Sequence, residues 1–456
     1  MNYRVRISST AWQHLRTSLL KDRAREYAAL LLGRHYESSR EIGLVLTEVA
    51  DLPRNAYATH RIDQLRIPTT YVAPLIKRVR LSGESLVFAH SHPWSIEPTF
   101  SAADEDGESK FFPALQSRAQ GVHGALVVGD SGAAARIHTL SGVFPAAIEV
   151  VGDTVQIFRS RRGGVKRDES ESAVFDRQQL ALGSAAVSLR DLAVGVVGAG
   201  GTGSAVIEQL LRMGVGDLIV VDPDNVEDSN LSRLVLATDA DARSGKPKAE
   251  LAANRASALG QRSKVLAIVG DVRDCDVALQ LRDRDLIFAC TDSHSSRVVL
   301  NQLAFQYLIP VVDMGARIVR TSSGVRDAVG EIRLVGPERT CLVCQGVLDP
   351  EIVTAELREP GDREEFVRRG YVLGPSEDAA PSLVNMTVGV AALGVTAALN
   401  WLGALGKEPP AIVALDFADL RLRRLRADAH APGCPVGGEQ GVQGMADFRQ
   451  LPCRKS

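Results

Sequence analysis

A glycine-rich turn between a predicted strand and a predicted helix constrains the fold of this chain more than any other feature. The strand spans residues 192–197, the turn Gly198-Ala-Gly-Gly-Thr-Gly203 follows, and the helix covers residues 204–213. The next strand is predicted at 217–222, and the alternation continues downstream. This rhythm indicates a Rossmann-like, doubly wound α/β domain with a parallel sheet. Four glycines would let backbone amides and the helix N-terminus face phosphate groups: Gly198, Gly200, Gly201 and Gly203.

The length, charge and cysteine content of the chain exclude several protein classes. Its 456 residues suffice for two or three domains, and its net charge of -2 argues against a general nucleic-acid-binding protein. The N-terminus lacks the apolar core of a signal peptide. Six cysteines are too few for a disulfide scaffold in so long a chain, and Cys341-x-x-Cys344 is more typical of metal binding. We therefore expect a cytoplasmic, reducing location.

The chain is predicted to contain two domains, a linker and a tail. Residues 1–158 form a mixed α/β domain, 159–172 a charged linker, 173–436 the Rossmann-like domain and 437–456 a C-terminal tail. Residues 387–405 are apolar and about as long as a membrane span. Because this segment is rich in alanine and glycine and stands alone, a buried or interface helix is favoured and no membrane association is expected.

Three residues of the N-terminal domain have the spacing of a catalytic metal site. His90 and His92 are two apart on a predicted strand, so both side chains point to one face, and Asp104 would reach them from a following helix. Three protein ligands leave the fourth position of Zn²⁺ open for water, which is typical of a catalytic site. A base must accept a proton from that water, and Glu26, where a predicted helix runs into a strand, is the candidate.

Structural explanations for the same residues remain open. A His-x-His pair is usually an ordinary surface or core feature, and Glu26 alone would be an exposed charge. The segment Ser101-Ala-Ala-Asp104 is also the pattern of a helix cap, with Ser101 at the N-cap. Ser101 would then serve both the chemistry and the helix, or the helix alone.

The full string of Glu26, His90-Ser-His92-Pro and Ser101-x-x-Asp104 resembles the JAB/MPN metalloprotease (JAMM) family over roughly residues 1–150. The resemblance implies that His90, His92 and Asp104 bind zinc. It further implies that Glu26 is the general acid/base and that Ser101 helps to hold the tetrahedral oxyanion. The implied reaction is cleavage of peptide or isopeptide bonds after the carboxyl end of ubiquitin-like proteins.

The second domain carries several motifs in order around its glycine turn. Asp222 ends a strand, where its carboxylate can accept hydrogen bonds from ribose hydroxyls. Up to this point a dehydrogenase is equally compatible. Four further motifs resemble the ThiF/MoeB and ubiquitin-activating family over residues 173–436: Phe175-Asp-Arg177-Gln, Ser229-Asn230-Leu-Ser-Arg233, Gly245-Lys-Pro-Lys248 and Cys290-Thr-Asp292.

This second resemblance implies an ATP-dependent adenylyltransferase acting on a carboxylate. Arg233 and Lys248 would neutralise the charge that builds on the phosphate in the transition state. Asn230 would orient the phosphates, and Asp292 would hold Mg²⁺. Arg177 would reach into the active site of the partner protomer, which implies a homodimer.

One departure from the family pattern concerns a structural zinc site. Family members often hold this ion with two Cys-x-x-Cys pairs, but the second pair here reads Cys434-Pro-Val-Gly. A zinc ion at Cys341, Cys344 and Cys434 would take His430 or Cys453 as its fourth ligand, or the site would be empty.

A second departure concerns the nucleophile. Ubiquitin-activating enzymes carry a cysteine after the first Cys pair, but residues 345–387 contain none. Cys275 and Cys290 have the pattern of buried free cysteines. The chain would therefore stop at the acyl-adenylate, pass it directly to a partner cysteine, or use Cys434 or Cys453.

Both resemblances together predict a bifunctional enzyme of a bacterial-type ubiquitin-like system. The first domain would trim or deconjugate a small modifier, and the second would adenylate the modifier's terminal glycine with Mg-ATP. The expected partners are a ubiquitin-like or sulfur-carrier protein that ends in Gly and a ubiquitin-conjugating-type enzyme. The alternative is activation of a sulfur carrier for thiocarboxylate or cofactor biosynthesis. A non-catalytic, modifier-binding scaffold is a weaker hypothesis.

Overall fold

The chain folds into two compact units. A computed structural model describes residues 1–53, 56–60, 65–159, 169–183, 189–260, 262–358 and 381–454. The first unit comprises residues 1–166, 306–308 and 443–450, and the second comprises residues 167–305, 309–442 and 451–456. The predicted tail is therefore shared between the units. Most of the predicted linker, residues 160–168, lies outside the described residues.

The first unit is a mixed α/β fold. Its helices are α1 (Ser9–Leu19), α2 (Thr69–Ser82) and α3 (Ala102–Gln116). Its strands are β1 (Asn2–Ser8), β2 (Ala28–Glu37), β3 (Glu41–Asp51), β4 (Thr59–His60), β5 (Leu65–Arg66), β6 (Ser85–Ser91), β7 (His123–Val128), β8 (Ala133–Thr139), β9 (Gly142–Val151) and β10 (Val155–Phe158). The main sheet has the order β1-β3-β2-β6-β7-β8-β9-β10, and β1 also pairs with β9, so the pairing closes on itself. Strands β4 and β5 form a separate ribbon.

Strand β2 lies at the centre of the core because both of its faces are covered. Leu31 packs in one apolar cluster with Leu15 of α1, and Leu30 packs in another with Phe112 of α3. The sequence of a strand that is buried on both faces is a continuous apolar run and does not alternate between apolar and polar residues. The sequence prediction of a helix running into a strand at Glu26 is therefore wrong, since an irregular segment leads directly into β2.

The second unit contains the predicted alternation of strands and helices. Its strands are β11 (Ala193–Val197), β12 (Asp217–Val221), β13 (Lys264–Ile268), β14 (Leu286–Ala289), β15 (Val311–Thr321), β16 (Gly324–Val335), β17 (Ile412–Asp416) and β18 (Arg421–Leu425). Its helices are α4 (Glu169–Leu182), α5 (Gly201–Arg212), α6 (Asp239–Ser244), α7 (Glu250–Ala258), α8 (Cys275–Ala278), α9 (His294–Gln306), α10 (Pro350–Glu356) and α11 (Val384–Trp401).

The sheet of the second unit has the order β13-β12-β11-β14-β15-β16-β17-β18. The strands from β13 to β15 pair in parallel, and those from β15 to β18 pair antiparallel. Strand β11 is followed by β12 on one side, and β14 lies on its other side. In open α/β sheets ligands bind outside the carboxyl ends of the strands at such a reversal, which here lies between β11 and β14.

Helix α11 corresponds to the apolar segment predicted at 387–405. Among the described residues it is the helix that is long and apolar enough to cross a membrane. Half of it is buried within the protein: Thr387 contacts the turn before α5, and Gly394 lies against Met314 of β15. These contacts explain an apolar helix inside a folded unit, and the absence of membrane association stays a prediction.

Cys275 and Cys453 form a disulfide bond within the second unit. The interpretation of Cys275 as a free buried cysteine is therefore wrong. The 178-residue separation of the two cysteines hid the pairing, because only the folded chain brings residue 453 beside the start of α8. Cys290 is free, as predicted.

Candidate functional site

The three predicted zinc ligands of the first unit lie together. His90 is the penultimate residue of strand β6, His92 comes directly after the strand, and Asp104 lies in the first turn of α3. One ligand atom from each residue lies within 4.8 Å of the others. His90 Nε2 is 3.0 Å from Asp104 Oδ1, and His92 Nε2 is 3.5 Å from Asp104 Oδ2.

Glu26 reaches the same cluster through the pairing of β2 with β6. Ala28 lies opposite His90 in this ladder, and Glu26 Oε1 is 3.5 Å from His92 Nε2. Ser91, which the sequence analysis did not single out, fixes this approach. Its hydroxyl accepts a hydrogen bond from Tyr27 N–H at 2.9 Å, and its own N–H donates to Tyr27 O at 2.9 Å. The sequence signal for this role of Ser91 is a polar residue between the two ligand histidines.

Ser101 is the N-cap of α3 and forms a capping box with Asp104. Its N–H and hydroxyl donate to Asp104 Oδ2 at 2.7 and 2.8 Å, and its Oγ accepts from Asp104 N–H at 3.2 Å. The capping explanation is thus present in the structure. The single hydroxyl hydrogen is used by Asp104, so an oxyanion contact by Ser101 would require this hydroxyl to turn. That role stays a prediction.

The electrostatics of the cluster keep Asp104 ionised. Burial alone would raise the pKa of Asp104, but the neighbouring His90 and His92 hold that pKa well below its ordinary range. Burial alone would lower the pKa of His92, but Asp104 and Glu26 outweigh it and raise that pKa. The Asp104 carboxylate and the two imidazoles therefore interact favourably.

The donor set fits a zinc ion. Two imidazoles and one carboxylate are the ligand types that zinc takes in hydrolases, and three ligands leave a fourth position for water. Both ring nitrogens of His90 are buried, and neither makes a hydrogen bond of good geometry among the described residues, although Nε2 lies 3.0 Å from Asp104 Oδ1. A buried ring nitrogen without a well-formed hydrogen bond costs free energy, and a metal ion bound to it would remove part of this cost.

The glycine turn of the second unit is shaped by close backbone approach. Gly198 has φ +91°, and a Cβ there would lie 2.6 Å from Cys290 O. A Cβ on Gly203 would lie 1.8 Å from Gly198 O. Helix α5 starts at Gly201, with Gly200 at its N-cap. The turn thus follows β11 and packs against the residue that follows β14. The N-terminus of α5 lies at this point, where it can receive phosphate groups.

Asp222 is buried beside this turn. Its carboxylate accepts hydrogen bonds from Ala199 N–H at 2.6 Å and from Asp224 N–H at 2.9 Å. Burial raises the pKa of Asp222, although these hydrogen bonds oppose the shift. Asp222 therefore braces the glycine turn in addition to its predicted contact with ribose.

The predicted cationic residues lie on loops near the turn. Lys248 Nζ donates to Asp224 Oδ2 at 2.8 Å, and Asp224 is linked through its N–H to Asp222. Arg233 donates to Ser229 O at 2.9 Å. The segment that carries Arg233 contacts the start of α5, because the N–H two residues further on donates to Ser204 Oγ at 3.3 Å.

Three other predicted residues have distinct positions. Asn230 is buried and caps a 3₁₀ turn, since its Oδ1 accepts from Glu227 N–H at 3.3 Å. Asp292 is exposed and lies two residues after Cys290, whose carbonyl contacts the glycine turn. Arg177 is exposed on α4, next to Gln178, which donates to Met213 O at the C-terminal end of α5. Gln178 thus contacts the end of α5 that is opposite the glycine turn, and the 12 residues of this helix span about 18 Å.

A second potential metal cluster lies in the same unit. Sulfur or ring-nitrogen atoms of Cys341, Cys344, His430 and Cys434 lie within 4.8 Å of one another. His430 thus occupies the place of the missing cysteine, whereas Cys453 is bonded to Cys275. Burial opposes ionisation of Cys434, but backbone N–H donors lower its pKa to about 6, which favours a thiolate ligand. Three sulfurs and one imidazole fit a closed structural zinc site.

Comparison with known proteins defines the family of the second unit. The model of the ThiF family matches residues 175–436, which is more than half of the chain. The chain belongs to the ThiF family. The match supports an α/β ThiF-type adenylating fold and an ATP-dependent adenylyltransferase activity. It begins after the zinc-ligand cluster, so the JAMM resemblance of the first unit stays a prediction.

Individual relatives cover the chain to different extents. The SAMP-activating enzyme E1 of Haloferax volcanii is 30% identical over 254 residues, which are 56% of this chain and 83% of that protein. The sulfur carrier protein ThiS adenylyltransferase of Bacillus subtilis is 34% identical over 27% of this chain and 36% of its own length. The molybdopterin-synthase adenylyltransferase of Escherichia coli is 33% identical over 28% of this chain and 51% of its own length. The chain thus spans about half or less of the latter two relatives.

Among solved structures, that of E. coli MccB with ATP is similar to this chain at 18% sequence identity and a TM-score of 0.45. The match covers 60% of this chain and 75% of the MccB chain.

Proposed function

We propose that the second unit uses ATP to adenylate the C-terminal carboxylate of a small sulfur-carrier or ubiquitin-like protein. The observation that carries the proposal is the glycine turn at the end of β11, with Asp222, Lys248 and Arg233 around it in the ThiF order. A carboxylate oxygen would attack the α-phosphate, and pyrophosphate would leave. Lys248 and Arg233 would offset the charge that develops on the phosphate oxygens, and Asp292 would hold Mg²⁺.

The relatives support a sulfur-carrier substrate better than the conjugation system predicted first. The B. subtilis relative is named for the sulfur carrier ThiS, and the E. coli relative for molybdopterin synthase. The H. volcanii relative is named for SAMP activation. We therefore place the sulfur-carrier alternative ahead of modifier conjugation, and the conjugating-enzyme partner stays a prediction.

The cysteines support release of the adenylate to an external acceptor. Cys275 and Cys453 are bonded to each other, and Cys434 belongs to the metal cluster with Cys341 and Cys344. Cys290 remains, and burial raises its pKa far above the ordinary thiol value. Five of the six cysteines are thus bonded or clustered, and Cys290 is only partly exposed and has a raised pKa, which argues against a thioester or persulfide on this chain.

The test is pyrophosphate exchange. Purified full-length protein would be incubated with a candidate carrier protein, ATP and labelled pyrophosphate, and Lys248→Ala would be compared with Lys264→Ala, an exposed lysine on β13. Carrier-dependent exchange that is lost in Lys248→Ala is expected. Absence of carrier-dependent exchange, or exchange that survives Lys248→Ala, contradicts the proposal. Adding sulfide and detecting a carrier thiocarboxylate by mass spectrometry would show that the activated group is the C-terminal carboxylate of the carrier.

We also propose zinc-dependent amide hydrolysis by the first unit, because His90, His92, Asp104 and Glu26 converge there. A bound zinc ion would supply a Lewis acid and a water of lowered pKa. Glu26, buried and adjacent to His92, would accept a proton and return it to the departing nitrogen. Cleavage of a carrier precursor after its final glycine would be followed by mass spectrometry, with and without a chelator. Cleavage that persists after chelation or in His90→Ala contradicts the proposal.

A further inference from the structure

Two large apolar side chains are exposed directly after the zinc-ligand motif. Trp94 is 52% exposed and Ile96 is 69% exposed, and they follow His92 by two and four residues. Single exposed apolar side chains are ordinary on protein surfaces. Two on one short loop, starting at a metal-ligand residue, form a local apolar surface next to the site.

The loop that carries them is held firmly. Ser95 N–H donates to His92 O at 2.9 Å, and Asp130 N–H donates to Ser95 O at 2.9 Å. Two glycines permit this contact: a Cβ on Gly129 would lie 2.3 Å from Ser95 O, and one on Gly132 would lie 2.7 Å from Ile96 O. The backbone is therefore positioned so that Trp94 and Ile96 face solvent, and their exposure is part of the fold.

Trp94 lies against one of the predicted zinc ligands. Its indole is nearly parallel to the His92 ring, with an interplanar angle of 11° and centroids 5.9 Å apart. Glu26 Oε1 is 3.5 Å from Nε2 of the same imidazole. Trp94 and the proposed proton carrier Glu26 therefore both border His92.

We propose that Trp94 and Ile96 form a platform for an apolar side chain just after the scissile amide. The inference rests on the proposed hydrolysis, in which Glu26 returns a proton to the departing nitrogen. The departing segment must therefore pass close to Glu26, and Trp94 borders the imidazole that Glu26 contacts. The platform would select substrates whose first residues after the cleaved bond are aromatic or branched aliphatic, since burying such a side chain against an indole is favourable.

Binding can be measured without turnover. The protein has three tryptophans, of which Trp12 and Trp401 are buried, so collisional quenching by acrylamide reports on Trp94. Zinc-loaded Glu26→Gln protein would be mixed with peptides that carry Phe or Ser after a glycine cleavage site. We expect the Phe peptide to protect Trp94 from quenching and the Ser peptide to protect it less. Equal protection by both peptides, or none by either, contradicts the platform whatever the outcome for hydrolysis.

Kinetics provide the second test. Trp94→Ala and Ile96→Ala should raise KM for the Phe peptide about 10-fold with a smaller change in kcat, and should leave the Ser peptide nearly unchanged. Trp94→Phe should restore most of the loss. Leu140→Ala, at an equally exposed leucine in the turn between β8 and β9, is the matched control.

Zinc content would be measured for every variant, and an equal loss for both peptides at full zinc content contradicts the proposal. If wild-type protein cleaves neither peptide, the hydrolysis proposal fails and the quenching result alone decides the platform.

Discussion

The two candidate sites are built in opposite ways. In the first unit, His90, His92 and Glu26 are buried and lie on or next to paired strands. In the second unit the backbone forms the rigid part, while Arg233 and Asp292 lie on loops at the surface. A metal ion is held by side-chain ligands alone, so each ligand contributes directly to its binding. A nucleotide is held in large part by backbone amides, to which charged side chains on the surrounding loops are added. Side-chain substitutions should therefore affect the first site more sharply than the second.

The largest expected effect is at His90. His90→Ala removes one of three zinc ligands, so we expect hydrolysis to fall below detection while pyrophosphate exchange stays at the wild-type rate. His14→Ala, at an exposed histidine paired with Asp51, is the control and should retain both activities. Paired assays on the same preparation measure the separation. Loss of both activities in His90→Ala would contradict this prediction, because it would mean that the two sites are not independent.

Lys248→Ala should have the next largest effect. Loss of one charge-stabilising group typically lowers a rate about 10²–10³-fold, so exchange should fall by that factor and hydrolysis should be unchanged. Initial rates at saturating ATP give the measurement. A fall of less than about 10-fold would show that the backbone turn, rather than Lys248, carries most of the stabilisation.

Reduction of the Cys275–Cys453 bond should destabilise only the second unit. A disulfide commonly stabilises a protein by about 2–4 kcal/mol by restricting the unfolded chain. Denaturant unfolding followed with and without a reductant would measure this difference. Cys453→Ser should match the reduced wild type, and the zinc affinity of the first unit should not change. An identical curve in both conditions would indicate that the bond does not form in solution.

The smallest expected effect on the free energy of unfolding is that of Ser101→Ala, which should lower the zinc affinity more clearly. Loss of the N-cap of α3 should cost about 1 kcal/mol. Because Ser101 also orients Asp104, zinc affinity should fall about 10–100-fold, measured by competition with a chromophoric chelator. Ser101→Thr keeps the cap and should restore most of both. Unchanged zinc affinity in Ser101→Ala would show that α3 orients Asp104 without the capping box.

The sequence predicted the sites better than the framework around them. Strands β11 and β12 were predicted, and the start of α5 to within three residues, because their apolar patterns and glycine spacing are local. The antiparallel strands from β16 to β18 were not, since nothing in their local pattern specifies their partners. The helix assigned before β2 was wrong because a strand buried on both faces lacks the alternation that distinguishes a strand from a helix.

The zinc-ligand string, the glycine turn and the ThiF motifs are short-range patterns that the sequence contains in full. Their chemistry follows from the side chains present. Contacts between distant residues, in contrast, form only in the folded chain. The tertiary structure brought Glu26 to His92 through strand pairing, placed His430 among the cysteines, and joined Cys275 to Cys453. These meetings depend on the packing of the whole chain, in which the free energy of many weak contacts selects one arrangement, and no local pattern contains that information.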